Sequence, residues 1–327
     1  MKKILGLVLW AALATSCYED YAKDYDLTAT YFAHQFDTRT LVVGEGMKIQ
    51  VGVGLGGVVK NTELRTVGFT IDDALLTKYN ALSNLKAGDS YMKEAMQGVS
   101  AISTLPNDYY TLSHPNTFEI KPGTQVGVVT LRVDSVKFLS NPDKTLVANY
   151  VLPLAITGKQ NIDAVLEGRD YAVIGLRYDN MLFGNYWYGG ESTVKDAQGN
   201  EIAGKKKTYY TRIPQDESVV WKLKTVAPFE LETNRVANQA GAIRIKLNQD
   251  GTVTLSKASK STLEVENDGV SSFNKAKLLQ NRKIYLNYKL KNADGTFTHY
   301  KDTLTFRNRI RDGVNEWQDE NPEHYGR

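Results

Sequence analysis

Seven aromatic residues stand where they would make platforms for a sugar ring. They are Tyr186, Trp187 and Tyr188 between Gly184 and Gly189-Gly190, the pair Tyr209 and Tyr210, Trp221, and Trp317 in the run Asn315-Glu316-Trp317. Pyranoses offer flat C–H faces and hydroxyl edges, so their sites combine aromatic faces with Asn, Asp, Glu and Arg. A buried aromatic removes roughly 150–250 Å² from water, and a sugar covering about a third of that gains ~1–2 kcal/mol. Millimolar affinity alone needs about 4 kcal/mol, so two or three platforms must act together. Strand alternation puts Tyr186 and Tyr188 on one face and Trp187 on the other. Taken singly, each ring is better explained by core packing than by a ligand.

Other chemistries find little support. Gly52-Val53-Gly54-Leu55-Gly56-Gly57 spells the dinucleotide fingerprint, but the following Val58-Val59-Lys60-Asn61-Thr62 and then Arg65 to Ile71 read as strand. No helix N-terminus would meet a pyrophosphate, and a closely packed glycine-rich strand is expected instead. His34, His114, His299 and His324 are scattered, His-Glu-x-x-His is absent and there is one cysteine, so no metal site is expected. Asn248, Asp250 and Glu266 lack the spacing of a calcium loop and read as hairpin residues. No Gly-x-Ser-x-Gly elbow occurs. Asp216-Glu217 and Glu316 with Asp319 lie near aromatics, but paired carboxylates are available in any chain with 37 acidic residues, and the Asp-x-x-Asp-x-Asp-x-Glu motif of family-18 glycosidases is missing. The expectation is a protein without cofactor that is not an enzyme.

The single cysteine, Cys17, follows an apolar stretch. Lys2 and Lys3 form a positive start, Ile4 to Leu13 an apolar centre, and Ala14, Thr15 and Ser16 a small-residue cleavage site. This is the pattern of a cleavable signal, and the apolar part has about half of the ~20 residues a spanning helix needs. A cysteine directly behind it reads as a lipid-attachment site, although Ala14 stands where a lipobox usually has leucine and Leu13 lies one place further back. Two or more acyl chains anchor stably. Residues 1–16 are thus expected to be removed, and residues 17–29 to be an acylated tether.

Removing Lys2 and Lys3 leaves 38 basic against 37 acidic side chains, and the net charge falls from +3 to +1. That balance is not built for nucleic acid. The 19 Tyr, 10 Phe and 4 Trp against 4 His favour a binding surface or a β-core over acid–base catalysis.

These residues must be carried by strands. Met47 to Val51 and Val126 to Val133 alternate with period two, and Tyr150 to Ile156 and Tyr171 to Tyr178 are apolar runs of strand length. Asp72 to Gln97 is the helical exception, with Asp72 or Asp73 capping a turn through Ala74, Leu75 and Leu76, and a second turn at Tyr91 to Met96. Residues 30–180 therefore read as a β-sandwich with a small helical insertion. Asp250-Gly251 and Asp294-Gly295 lie between alternating runs, the cue for hairpins with type I′ turns; Asp196 to Asn200 and Asp268-Gly269 are further turns. Residues 181–327 then form an antiparallel meander that closes as a barrel or packs as a sandwich.

Several stretches resemble a family of Bacteroidetes surface lipoproteins built from two paired domains of unknown function. They are Val51 to Gly57, Leu105-Pro106-Asn107-Asp108-Tyr109-Tyr110-Thr111-Leu112-Ser113, Tyr150 to Leu154, and Arg309-Ile310-Arg311-Asp312-Gly313 with Asn315 to Trp317. The resemblance implies an immunoglobulin-like first domain, of a kind also found ahead of family-18 glycosidases, and a lipocalin-like second domain. It implies an outward-facing outer-membrane lipoprotein that binds oligosaccharide or polysaccharide and passes it to a TonB-dependent uptake complex; the rival reading is an adhesive or structural surface lipoprotein that binds protein, and a glycosidase is third. Glu19 and Asp20 loosely resemble the export signal of such lipoproteins. The segment Ser83 to Thr104 is longer than the family usually has.

Overall fold

The computed structural model describes residues 25–209, 220–237 and 239–319. Cys17 and Tyr210 lie outside them. The fold is mainly β, as the patterning indicates.

Two sheets face each other in the first half. One orders the strands Ala164–Val165, Ala29–Tyr31, Lys48–Gly56, Val126–Val133 and Tyr110–Leu112; the other orders Phe36–Val43, Tyr171–Asn180, Tyr150–Gln160, Arg65–Ile71 and Thr117–Ile120. Alternation sends Ile49, Val51, Val53 and Leu55 into the core between them. The glycines of that strand serve packing. A Cβ on Gly54 would stand 2.9 Å from the Tyr31 ring, and one on Gly52 would stand 2.6 Å from the carbonyl oxygen of Gly127. No helix follows them.

Three short helices, Ala74–Lys78, Ala81–Ala87 and Ser90–Ala95, form the insertion, one more than the capping signals predict. Leu75, Leu85, Met92 and Ala95 pack on Val151, Tyr171 and Val173, the outer side of the second sheet. The strands beneath are therefore covered on both faces, and Tyr150 to Leu154 and Tyr171 to Leu176 are buried without alternation. Continuous apolar runs are what such strands require.

In the second half eight strands close into an antiparallel barrel. In order they are Gly184–Lys195, Val220–Ala227, Glu230–Thr233, Ile243–Leu247, Thr252–Lys257, Ser271–Phe273, Lys283–Lys291 and Phe297–Arg311, and the last pairs with the first from Asn185 opposite Asn308 to Lys195 opposite Phe297. An eight-stranded barrel has room inside for side chains or one small ligand. Here Tyr186, Tyr188, Trp221, Leu231, Ile245, Ile284, Tyr288 and Leu304 fill it.

Both predicted hairpins form, with a different turn. Gly251 and Gly295 have positive φ but Asp250 and Asp294 do not. Gly251 N donates to Asn248 O and Asn248 N donates to Thr252 O, a pattern repeated at Asn292, Gly295 and Thr296. This is a type I turn followed by a glycine bulge, in place of type I′. The aspartates act through their side chains: Asp250 Oδ1 accepts from Thr252 N at 2.8 Å and from Thr252 Oγ1 at 2.7 Å. Both central residues have positive φ at Asp312-Gly313, between Phe297–Arg311 and Val314–Glu316.

Polar contacts join the halves. Glu45, at the sandwich edge, accepts from Arg282 Nη2 at 2.7 Å and from Arg309 Nη1 and Nη2 at 2.8 and 2.9 Å. All three side chains are buried. Thr40 Oγ1 donates to Asp312 Oδ1 at 2.7 Å, and Asn180 Nδ2 donates to Pro228 O at 2.8 Å.

Candidate functional site

A cleft of about 300 Å³ opens where sandwich, insertion and barrel meet. Each wall has a local cause. The sandwich contributes Thr38 and Thr40 from Phe36–Val43, and Arg177 and Asp179 from its parallel neighbour Tyr171–Asn180. Ser90–Ala95 contributes Tyr91 and Glu94. The barrel contributes Asn185, Lys222 and Lys224 from paired strands, and Ile310 and Asp312 from the last hairpin.

The cleft mixes polar groups with the apolar side chains of Ala95, Phe183, Leu223 and Ile310, and it is held in shape. Tyr91 Oη donates to Asp37 Oδ1 at 2.7 Å, and burial followed by the Asp37 carboxylate raises the phenol's pKa, so the hydroxyl stays a donor. The Tyr91 ring lies against Gly313, where a Cβ would stand 3.1 Å from it. Arg177 Nη2 donates to Asp179 Oδ2 at 2.9 Å. Burial raises the Asp179 pKa against the pull of Arg177, and burial likewise raises that of Asp312 against the hydrogen bonds from Thr40. Arg177 Nε is buried with no acceptor among the described residues. Buried donors normally find partners, and a ligand oxygen here would supply one. Opposite charges are interspersed, with Asp179, Asp312 and Glu94 facing Arg177, Lys222 and Lys224. Such a wall presents donors and acceptors to hydroxyl groups without a strong net field.

Of the predicted platforms, three belong to the core. Tyr186, Tyr188 and Trp221 are buried inside the barrel. Tyr186 Oη donates to Leu182 O at 3.0 Å, Trp221 Nε1 donates to Ala237 O at 3.0 Å, and the Tyr188 and Trp221 rings stack at 5.4 Å. As platforms for a surface ligand these three are corrected: a closed barrel turns alternate residues inward, and large aromatics fill that space. Tyr209 is half-buried against Tyr188, with ring centroids 5.6 Å apart. Trp187 is on the outer barrel face, as alternation predicts, with the Arg307 guanidinium 4.6 Å over its ring. It stands two residues from Asn185, about 7 Å along the strand, outside the lining of the cleft. Trp317 is 57% exposed beyond Val314–Glu316.

The cleft residues Tyr91, Arg177, Asp179, Lys222 and Asp312 were not foreseen as a site. They come from distant parts of the chain, and Asp312 entered the sequence reading only within the stretch Arg309 to Gly313 that carries the resemblance. Among the described residues no cluster of three His, Cys, Asp or Glu could hold a metal ion, and no helix is long and apolar enough to cross a membrane.

Taken together, fold and cleft define a mainly β protein of two halves, with a pocket of mixed polar and apolar lining between them. Residues 21–163 match a family model described as "-like, N-terminal domain". A Bacteroides ovatus protein of unknown function shares the fold across both halves, with a TM-score of 0.57 at 20% identity over 90% of this chain and 98% of the other. A B. ovatus multidomain protein including DUF1735 overlaps at a TM-score of 0.40, with 13% identity over 89% of this chain and 99% of that one. A B. ovatus protein described as a "putative carbohydrate binding protein" overlaps at 0.31, with 11% identity over 89% and 79%. The two lower scores support no inference about this chain. No curated protein matches it significantly. Residues 21–163 are thus similar to this N-terminal domain, and the chain shares its fold with a Bacteroides protein of unknown function, in line with the resemblance read from its sequence.

Proposed function

We propose that the protein is a non-catalytic glycan-binding lipoprotein of the outer membrane surface, acylated at Cys17, which captures oligosaccharide in the cleft and delivers it to a TonB-dependent uptake complex. The observation that carries the reading is the cleft itself, in which hydrogen-bonding groups from three structural units converge beside an outward tryptophan. At about 300 Å³ it lies at the small end of ligand pockets, ~300–1,000 Å³. That size suits the end of a sugar chain better than its length. Asn185, Lys222 and Arg177 supply donors to hydroxyls, Glu94 accepts, and Trp187 offers a face to the next ring once Arg307 swings aside. The carboxylates of Asp179 and Asp312 are engaged by Arg177 and Thr40, an arrangement suited to positioning more than to proton transfer.

The test is a glycan array followed by calorimetry on the full chain, with Asn185→Ala and Trp187→Ala compared to the parent. Loss of one platform, ~1–2 kcal/mol, weakens binding roughly 5- to 30-fold. Saturable binding that neither variant changes would remove the cleft from the proposal. Turnover of the bound glycan would replace capture by catalysis, and no binding to any glycan would leave protein adhesion as the better reading.

A further inference from the structure

The end of the sandwich remote from the barrel is apolar for a solvent-facing surface. Tyr25, Leu27, Val59, Leu64 and Val126 are exposed there, five of the fourteen large apolar side chains exposed among the described residues. Pairing gathers them. Tyr25 N donates to Gly57 O, Val126 stands opposite Gly54, and Gln125 Nε2 donates to the carbonyls of Val58 and Val59. Asn61 Nδ2 donates to Lys121 O and Thr124 O, tying the remaining loop to the same end. Lys60 and Lys121 are exposed among them. The acids Glu63 and Asp163 are engaged by Arg65 and Thr28, and Asp26, between Tyr25 and Leu27, is exposed.

The position of this end says what covers it. Lys48–Gly56 starts beside Glu45, at the junction with the barrel, and finishes here, a span of about 26 Å at ~3.3 Å per residue. The described chain also begins here, at Tyr25. Eight peptide steps separate Tyr25 from Cys17, a reach of at most ~29 Å. An acyl group on Cys17 therefore tethers the protein by this end, and the barrel begins about 26 Å further on.

We propose that this end rests on the lipid surface of the membrane, with Tyr25, Leu27, Val59 and Val126 entering the interfacial region and Lys60 and Lys121 meeting lipid phosphates. The inference rests on acylation of Cys17, part of the function proposed above. Interfacial binding grows with buried apolar area and with attraction of basic groups to anionic lipid, and tyrosine suits the headgroup level. The docked sandwich acts as a spacer that holds the cleft and barrel off the bilayer, where a soluble glycan can reach them.

Acylation consumes the Cys17 thiol, so Val59→Cys or Val126→Cys gives the full chain one free thiol for a fluorophore. Lys291→Cys, exposed at the far end of the barrel, is the control. The labelled proteins are floated with vesicles of phosphatidylethanolamine and phosphatidylglycerol containing a quencher attached to the acyl chains. The expected result is flotation of all three, with severalfold stronger quenching at positions 59 and 126 than at 291. Flotation with equal quenching at all three positions overturns the docking and leaves the anchor standing. Failure to float, with an unmodified N-terminus by mass spectrometry, overturns the anchor and this proposal with it.

Discussion

Replacing Asp302 by Asn tests whether one buried carboxyl sets the pH dependence of the barrel. Asp302 is 2% exposed, and its carboxyl accepts from Tyr188 Oη at 3.1 Å and Tyr288 Oη at 2.7 Å. The rings of Tyr209 and Tyr300 are close by. Burial pushes the Asp302 pKa up to about 7 from its ordinary 3.8, while the two tyrosine hydroxyls pull it partly back. Between those values the native protein holds a proton that the unfolded chain releases. The stability from this proton is fully present below about pH 4 and is lost as pH rises through 7. From pH 5 to pH 8 the loss amounts to roughly 2.5 kcal/mol. Asn keeps one acceptor and carries no charge. Urea unfolding of parent and Asp302→Asn at both pH values should show the variant gaining on the parent by that amount at pH 8. Stabilities that change in parallel with pH would refute the reasoning.

Glu45→Ala strands Arg282 and Arg309 between the two halves and should destabilise by about 3–5 kcal/mol in denaturant unfolding; a change under ~1 kcal/mol would mean the cluster is not dry. Burial raises the Glu45 pKa, but Arg309 and then Arg282 outweigh it and leave it lowered. Its contribution is therefore present above the ordinary glutamate pKa and lost as pH falls through the lowered one, opposite in sign to that of Asp302. Gly190→Ala places a Cβ 2.3 Å from the Lys301 carbonyl oxygen at a φ of +153°, where strand Gly184–Lys195 closes the barrel. It should cost more than ~2 kcal/mol, read as a lower Tm, and tolerance within ~0.5 kcal/mol would show that the strands can separate there. Trp221→Ala should cost about 3–5 kcal/mol as a core cavity, whereas Trp187→Ala should leave Tm nearly unchanged.

How far the sequence discloses this molecule depends on the range of the interactions. Alternation in Lys48–Gly56 and the Asp-Gly hairpins are local, and they were legible. The unbroken apolar runs at Tyr150 and Tyr171 were legible as strands, but their double burial depends on helices roughly 55–100 residues away along the chain. Ser135–Leu139 was not seen: it is five residues long, and its signal is Asp134 accepting from Val136 N and Lys137 N. Alternation separated Trp187 from Tyr186 and Tyr188 correctly. It could not say which face was the inside, because that follows from closure between strands over a hundred residues apart. The cleft was the least visible feature, since its chemistry exists only once Tyr91, Asp179, Asn185 and Asp312 are brought together.

The way those residues are held bears on how the cleft would bind. Asp312 sits in a turn with two positive φ values, at the tip of a hairpin that extends from the barrel. Thr40 fixes its carboxylate, and Tyr91, itself fixed by Asp37, packs on the adjoining Gly313. The buried Glu45 cluster holds the same hairpin through Arg309, and Arg309 Nε donates to Glu316 Oε2 at 2.5 Å. By contrast the Lys224–Glu94 bridge across the mouth is exposed and 3.9 Å long, and pairs of that kind contribute little. The rigid contacts lie at the back of the cleft and the weak one at its entrance. A ligand entering there displaces an ion pair of small value and meets groups already ordered, so little of its binding free energy goes to ordering the protein.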